Sequence, residues 1–179
     1  MTLNEVKVLL SENQIPFELC EFENEAAYWQ HISQFPYTQN AKVCKVIALI
    51  ISSNNHHKNI ELQFNALNDE FILDELYFGD YGFEMFDYTE EMLANDLVNN
   101  INKIRSGYLV VITAINLNNK RRLGDALFYL SGDDDAFGEE GYKKALRQIH
   151  KPKGLLARLF KSKIQYEIYD WDSYQCIIK

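Results

Sequence analysis

Between Glu61 and Asp96 lie eleven carboxylates and not one lysine or arginine. At the centre of that run, Asn68 to Tyr88 interleaves acids with aromatics: Glu70, Asp74, Glu75, Tyr77, Asp80, Tyr81, Glu84 and Asp87. Carboxylates mixed with tyrosine and phenylalanine suit docking on a basic protein surface, because charge raises the association rate and aromatic rings anchor the complex. A half-buried strand with an acidic outer face would have the same composition. General acid–base catalysis would need one carboxylate pair with divergent environments, and nothing in the sequence selects a pair from eleven acids.

Other chemistry-bearing residues fit worse. The run Asp133-Asp134-Asp135-Ala136-Phe137-Gly138-Glu139-Glu140 has the glycine of a calcium loop. Its fifth and twelfth positions, Phe137 and Lys144, are not the oxygen ligands such a loop needs. A solvated turn feeding acids to a helix N-terminus fits better. His56 and His57 are neighbours, which on a strand point to opposite faces, so a hairpin tip fits better than a metal pair. His31 and His150 have no visible catalytic companion. Cys20, Cys44 and Cys176 contain no CxxC pair, so neither a zinc site nor a disulfide framework is signalled. Cys44, in an apolar run, reads as an inert core thiol. No glycine-rich phosphate loop follows any strand. The expectation is a protein without catalytic residues, metal or cofactor.

Charge is unevenly placed. Residues 1–100 hold 17 acids and 4 bases, a net of −13, whereas residues 101–179 hold 9 acids and 14 bases, a net of +5. Eight of those bases, with no acid among them, fall between Lys143 and Lys163. With Leu155, Leu156, Leu159 and Phe160, this segment could grip phosphates or lie on a membrane surface as an amphipathic helix. A helix packing its apolar side on a sheet, with its bases in water, accounts for it better, since an overall charge of −8 repels anions.

The elements that must position these residues are legible from periodicity. Thr2-Leu3-Asn4-Glu5 is a capping box, followed by Leu3, Val6, Leu9 and Leu10 on one helical face, with Pro16 marking the end. Phe17–Phe22 alternates as a strand, and Asn24 caps a helix reaching Ile32. Phe35–Asn40 is a loop. Val43–Ser52, rich in β-branched residues, is expected in the middle of the sheet, with Asn59–Asn65 returning from the Asn54–His57 turn. Phe71–Phe78 is a strand, Gly79–Gly82 a turn, and Phe83–Phe86 a short extended piece. Thr89 opens a third helix, carrying Met92, Leu93, Leu97, Ile101 and Ile104 and capped by Gly107. Tyr108–Ile115 and Arg121–Leu130 form a further strand pair, a helix is expected near Glu139–His150, and Ile164–Trp171 with Tyr174–Ile178 closes as a hairpin.

Paired strands joined by tight turns predict an α+β fold, a mainly antiparallel β-sheet with helices packed on it, as a single domain spanning 1–179. No linker or repeat divides the chain. The start Met1–Glu5 lacks signal-peptide features, and the longest apolar run, Val46–Ile51, is far shorter than the roughly twenty residues of a membrane span. A cytoplasmic protein with reduced thiols and no membrane association is expected.

The ordered motifs Tyr28-Trp29-Gln30-His31-Ile32, Asn40–Ala48, Asn59–Asn65, Tyr77–Phe86 and Tyr166-Glu167-Ile168-Tyr169-Asp170-Trp171 resemble a family of small bacterial proteins. They are found beside polymorphic toxins, including the Maf-type toxins of Neisseria, and are regarded as their immunity proteins. The resemblance covers nearly the whole chain. It implies an α+β antidote in the cytoplasm that neutralises a cognate toxin domain, often a nuclease with a basic substrate surface, by tight binding. It supplies no site residues. The toxin-binding set Glu70, Asp74, Glu75, Tyr77, Asp80, Tyr81, Glu84 and Asp87 rests on the residues themselves. A nucleic-acid-binding accessory protein using residues 143–163 is the alternative, and direct nucleic-acid binding is otherwise not expected of so acidic a chain.

Overall fold

The structure is a computed structural model, and it describes residues 1–32, 45–67, 69–83, 89–118, 120–129 and 163–178. Cys44, the Phe35–Asn40 loop, the Asp133–Glu140 run, the expected Glu139–His150 helix and, apart from Lys163, the basic segment lie outside the described residues. The fold is α+β and mostly β, with two antiparallel sheets of five and four strands. Contacts divide the chain into two compact units, Met1–Lys103 and Ile104–Lys179, each built around one sheet. The division falls within the last turn of a helix, where no change of composition marks it.

In the first unit, α1 (Leu3–Glu12) begins at the expected capping box. The Thr2 amide donates to Glu5 Oε2 at 2.7 Å and the Glu5 amide to Thr2 Oγ1 at 3.3 Å. β1 (Glu18–Phe22) leads to α2 (Glu25–Ile32), whose first turn is capped by Asn24 Oδ1 accepting from the Ala27 amide at 2.9 Å. β2 (Val46–Ile51), β3 (Ile60–Leu67), β4 (Glu70–Phe78) and β5 (Tyr81–Phe83) follow as a meander in spatial order β1-β2-β3-β4-β5. The middle of this sheet is therefore β3, one place away from the strand that its β-branched residues nominated. Beyond β5 the edge of β4 is continued by the N-terminus, where Thr2 bridges to Ile72 and the Leu73 amide donates to the Met1 carbonyl at 2.9 Å.

Alternation gives the sheet two unlike faces. One carries Ile47, Leu49 and Ile51 from β2, Ile60, Leu62 and Phe64 from β3, and Leu76 and Phe78 from β4. All are buried, and α1 packs against β4 with Val6 and Leu10 fully buried. On the other face, Val46, Ala48 and Ile50 pack with Tyr28 of α2 and with Cys20 and Phe22 of β1. The Tyr28 ring meets Phe22 edge-on, 5.4 Å between centroids.

α3 (Glu90–Arg105) follows, its Leu97, Ile101 and Ile104 buried as the spacing predicts, whereas Met92, expected on the same stripe in the first turn, is exposed. The second unit holds β6 (Leu109–Asn116), β7 (Arg121–Tyr129), β8 (Ile164–Tyr169) and β9 (Tyr174–Ile178), in spatial order β7-β6-β8-β9. Val110, Ile112, Ala114, Tyr166 and Ile168 form its core on one face.

Leu10→Ala should cost about 3 kcal/mol through the cavity it leaves. Thr2→Ala should cost about 1 kcal/mol through loss of the cap. Urea unfolding followed by circular dichroism checks both, and equal midpoints for the two variants would contradict this account of α1.

Candidate functional site

The face that carries Tyr28 changes character across the sheet. Over β2 and the rest of β1 beyond the exposed Glu18 it is apolar, and there it lies under α2. Over β3 to β5 the same register brings up Glu61, Gln63 and Asn65, then Asp74, Glu75 and Tyr77, then Gly82. A β-bulge builds the middle of this row. Gln63 pairs with Glu75 and Phe64 with Leu73, so Asp74 is the extra residue. Bulges re-aim side chains, and this one puts two successive acids on one side of a strand. Asn65 Nδ2 donates to Asp74 Oδ2 at 2.8 Å, which confirms the direction.

The row is a partly satisfied polar network. Gln63 Nε2 donates to Asn65 Oδ1 at 3.3 Å, and the Tyr77 hydroxyl donates to Glu75 Oε2. Glu61, 6% exposed, and Gln63, 3% exposed, are buried, yet Glu61 Oε2 and Gln63 Oε1 have no hydrogen-bond partner among the described residues. Burial pushes the Glu61 carboxyl up to about 8, with Asp80 adding to the rise and Lys58 opposing it. Glu75 is also raised, by burial and then by Asp74, against the Tyr77 hydrogen bond. Burial holds the Tyr28 hydroxyl in its neutral form, and Glu61, Tyr77, Glu75 and Asp74 all reinforce this, so the five groups form one electrostatic cluster. A Cβ at Gly82 would sit 2.7 Å from Glu75 Oε1 and 3.2 Å from the Tyr77 ring, so the bare backbone there makes room for that pair.

The expected binding residues do not stay together. Glu70, Asp74, Glu75 and Tyr77 share this face, with Glu70 and Asp74 exposed, Glu75 half-buried and Tyr77 buried. Tyr81 pairs with Phe78 and so lies on the opposite, apolar face, its ring 5.2 Å from Phe83. Asp80 sits in the β4–β5 turn, where its carboxylate is bonded to Lys58 at 2.6 Å, with both side chains almost fully buried. It supports the fold and is not presented to a partner. Glu84 and Asp87 lie outside the described residues. Tyr28, Glu61, Gln63 and Asn65 were not among the expected binding residues, although Glu61 opens the acidic run.

The alternatives gain little from the geometry. His56 is exposed at the β2–β3 tip with φ 57°, where Asn55 Oδ1 accepts from the amides of His57 and Lys58, each at 2.8 Å. Burial raises the thiols of Cys20 and Cys176, assisted by Glu18 and Glu61 in one case and by Glu167 in the other. Both shifts oppose thiolate chemistry. No group of three or more metal-ligating side chains stands together among the described residues, and none of their helices is long and apolar enough to cross a membrane. No family model matches the chain, and neither does any curated protein or solved structure.

The buried pair and the buried acid each give a measurable consequence. Asp80→Asn removes the carboxylate bonded to the buried Lys58 ammonium and should cost about 3–5 kcal/mol, whereas Lys58→Met with Asp80→Leu should recover most of that loss. Glu61 should make stability fall with rising pH. The unfolded chain releases this proton near 4.5 and the folded chain near 8. Between those values only the folded state holds it, so the stabilisation is complete below the lower value and is lost by about 1.4 kcal/mol per pH unit toward the upper one. Glu61→Gln should flatten that slope in urea titrations at pH 5 to 9. A slope unchanged in the variant would show that the carboxyl is not buried as described.

Proposed function

We propose that this chain is an immunity-type binding protein that neutralises a cognate toxin domain, of the nuclease class, by covering a basic surface, and that it acts in the cytoplasm without chemistry of its own. The single observation carrying this reading is the composition of the Tyr28 face. Its described strand residues include Glu18, Glu61, Glu70, Asp74 and Glu75 and no lysine, arginine or histidine. Apart from Glu61, which keeps its proton near neutrality, these acids put like charge on one face, which raises the free energy of the isolated protein, and a basic partner relieves that cost. The exposed acids Glu70 and Asp74 would steer encounter, and the half-buried acids and aromatic rings behind them would hold the complex. The resemblance of the ordered motifs to immunity proteins agrees with this reading and supplies the class of partner.

Tagged protein drawn from its own cells at low salt should bring down one basic polypeptide in equal amount. Reversing Glu70 and Asp74 to lysine should slow association with it roughly tenfold at low ionic strength and blunt the salt dependence. Folding should be unaffected, since both side chains are exposed. Stopped-flow mixing reads the rate. Unchanged kinetics would place the interface elsewhere, and recovery of nucleic acid alone would move the function to the basic segment.

A further inference from the structure

On the polar half of the Tyr28 face two buried acceptors, Gln63 Oε1 and Glu61 Oε2, have no hydrogen-bond partner among the described residues. Asp74 accepts from Asn65, and being acceptor-only it fixes that amide with its nitrogen toward the carboxylate and its oxygen toward Gln63. The Gln63 nitrogen is thereby drawn to Asn65, and its carbonyl oxygen is left over on the side of Glu61, two residues back along β3. The Tyr77 hydroxyl is used on Glu75. What remains is the buried Gln63 Oε1 and, two residues back along the strand, the buried Glu61 Oε2. Buried acceptors without donors are rare and costly, and a ligand can satisfy them.

We propose that this row is a socket for a guanidinium group, which in the partner-binding reading is one arginine side chain inserted by the partner. The two buried oxygens call for a ligand rich in donors, and the Glu61 carboxyl, once it gives up its proton, calls for a cation. Guanidinium has five N–H groups in a rigid plane and is weakly hydrated, so it surrenders little on entering a buried site. Ammonium offers three donors from one point and holds its water more strongly. Asp74 is exposed, Asn65 and Glu75 are half-buried, and Gln63 and Glu61 are buried, so exposure falls along the row from Asp74 toward Glu61.

Insertion of the cation expels the proton that Glu61 keeps in the empty site. With half-ionisation at about 8, roughly a tenth of the carboxyl is ionised at pH 7 and nine-tenths at pH 9, so binding should tighten about tenfold between the two. Lys58 and Asp80, which act on the same carboxyl, are retained in every variant used.

The test is a titration of the full chain with ethylguanidinium, with ethylammonium in parallel, following the side-chain amide resonances of Gln63 and Asn65 by NMR. Ethylguanidinium should produce saturable shifts with a dissociation constant on the order of millimolar, a reasonable ceiling for so small a ligand. The constant should be about tenfold lower at pH 9. Glu61→Gln should weaken binding and abolish its pH dependence, and Asp74→Asn should weaken it while leaving the pH dependence in place. Three results would overturn the socket: no saturable shift, equal binding by ethylammonium, or binding indifferent to Glu61→Gln. The proposal rests on the partner-binding reading only for the identity of the occupant. If ethylguanidinium binds and no basic protein is recovered from cells, that reading fails and the socket stands. If a basic partner binds Glu61→Gln as tightly as it binds the natural chain, the socket fails and the reading stands.

Discussion

A strand covered on both faces has to be apolar on both, or it must find partners for whatever polar groups it buries. The first unit contains neighbours that meet this constraint in opposite ways. β2 is Val-Ile-Ala-Leu-Ile-Ile, and every residue is buried. β3 lies beside it and is buried over its first five residues, but it alternates Ile60, Leu62 and Phe64 with Glu61, Gln63 and Asn65. Its apolar residues join the α1 side. Its polar residues must be satisfied in a place where water is scarce, and they are satisfied only in part. The candidate site exists because of that shortfall.

The shortfall would be smaller without the bulge in β4. In regular pairing, Asp74 would point to the side of Leu73's neighbours on the apolar face, and its burial there would be prohibitive. The extra residue instead places it beside Glu75, where it orders Asn65 and, through Asn65, Gln63. One backbone irregularity thus sets two amide orientations and decides that an oxygen, and not a nitrogen, is left over at Gln63. The same chain of contacts explains why the acids cannot all be treated as surface charge. Glu70 and Asp74 are in water, Glu75 is shared with Tyr77, Asp80 is neutralised by Lys58, and Glu61 holds its proton near neutrality.

Much of the fold was legible because local signals agreed with it. The Thr2 capping box, the Asn24 cap and most strands lie close to where the residues place them, whereas β5 occupies Tyr81–Phe83, inside the stretch expected as a Gly79–Gly82 turn. The centre of the first sheet was misjudged because β-branched content reports burial on both faces, and β2, next to the centre, satisfies that as fully as a central strand does. The division into two units was not legible, since it falls inside α3, whose composition is continuous. A capped amphipathic helix carries no mark of where the contacts around it change.

The site was half legible for a related reason. Acid density pointed to β4, and Glu70, Asp74, Glu75 and Tyr77 do share a face there. Register separated Tyr81 from them, and an ion pair between residues 22 apart in the chain removed Asp80, neither of which local sequence encodes. Glu61, Gln63 and Asn65 were passed over because alternation in β3 reads as one buried and one solvated face. The signal that could have found them is the neighbour. An all-apolar β2 requires cover on both sides, and that cover extends over β3 but only in part over β1, its edge-strand neighbour, whose residues are largely exposed. Polar residues alternating in the interior neighbour of such a strand are therefore the ones to suspect of burial. A buried polar row on a strand adjoining an all-apolar one is a candidate site on physical grounds alone.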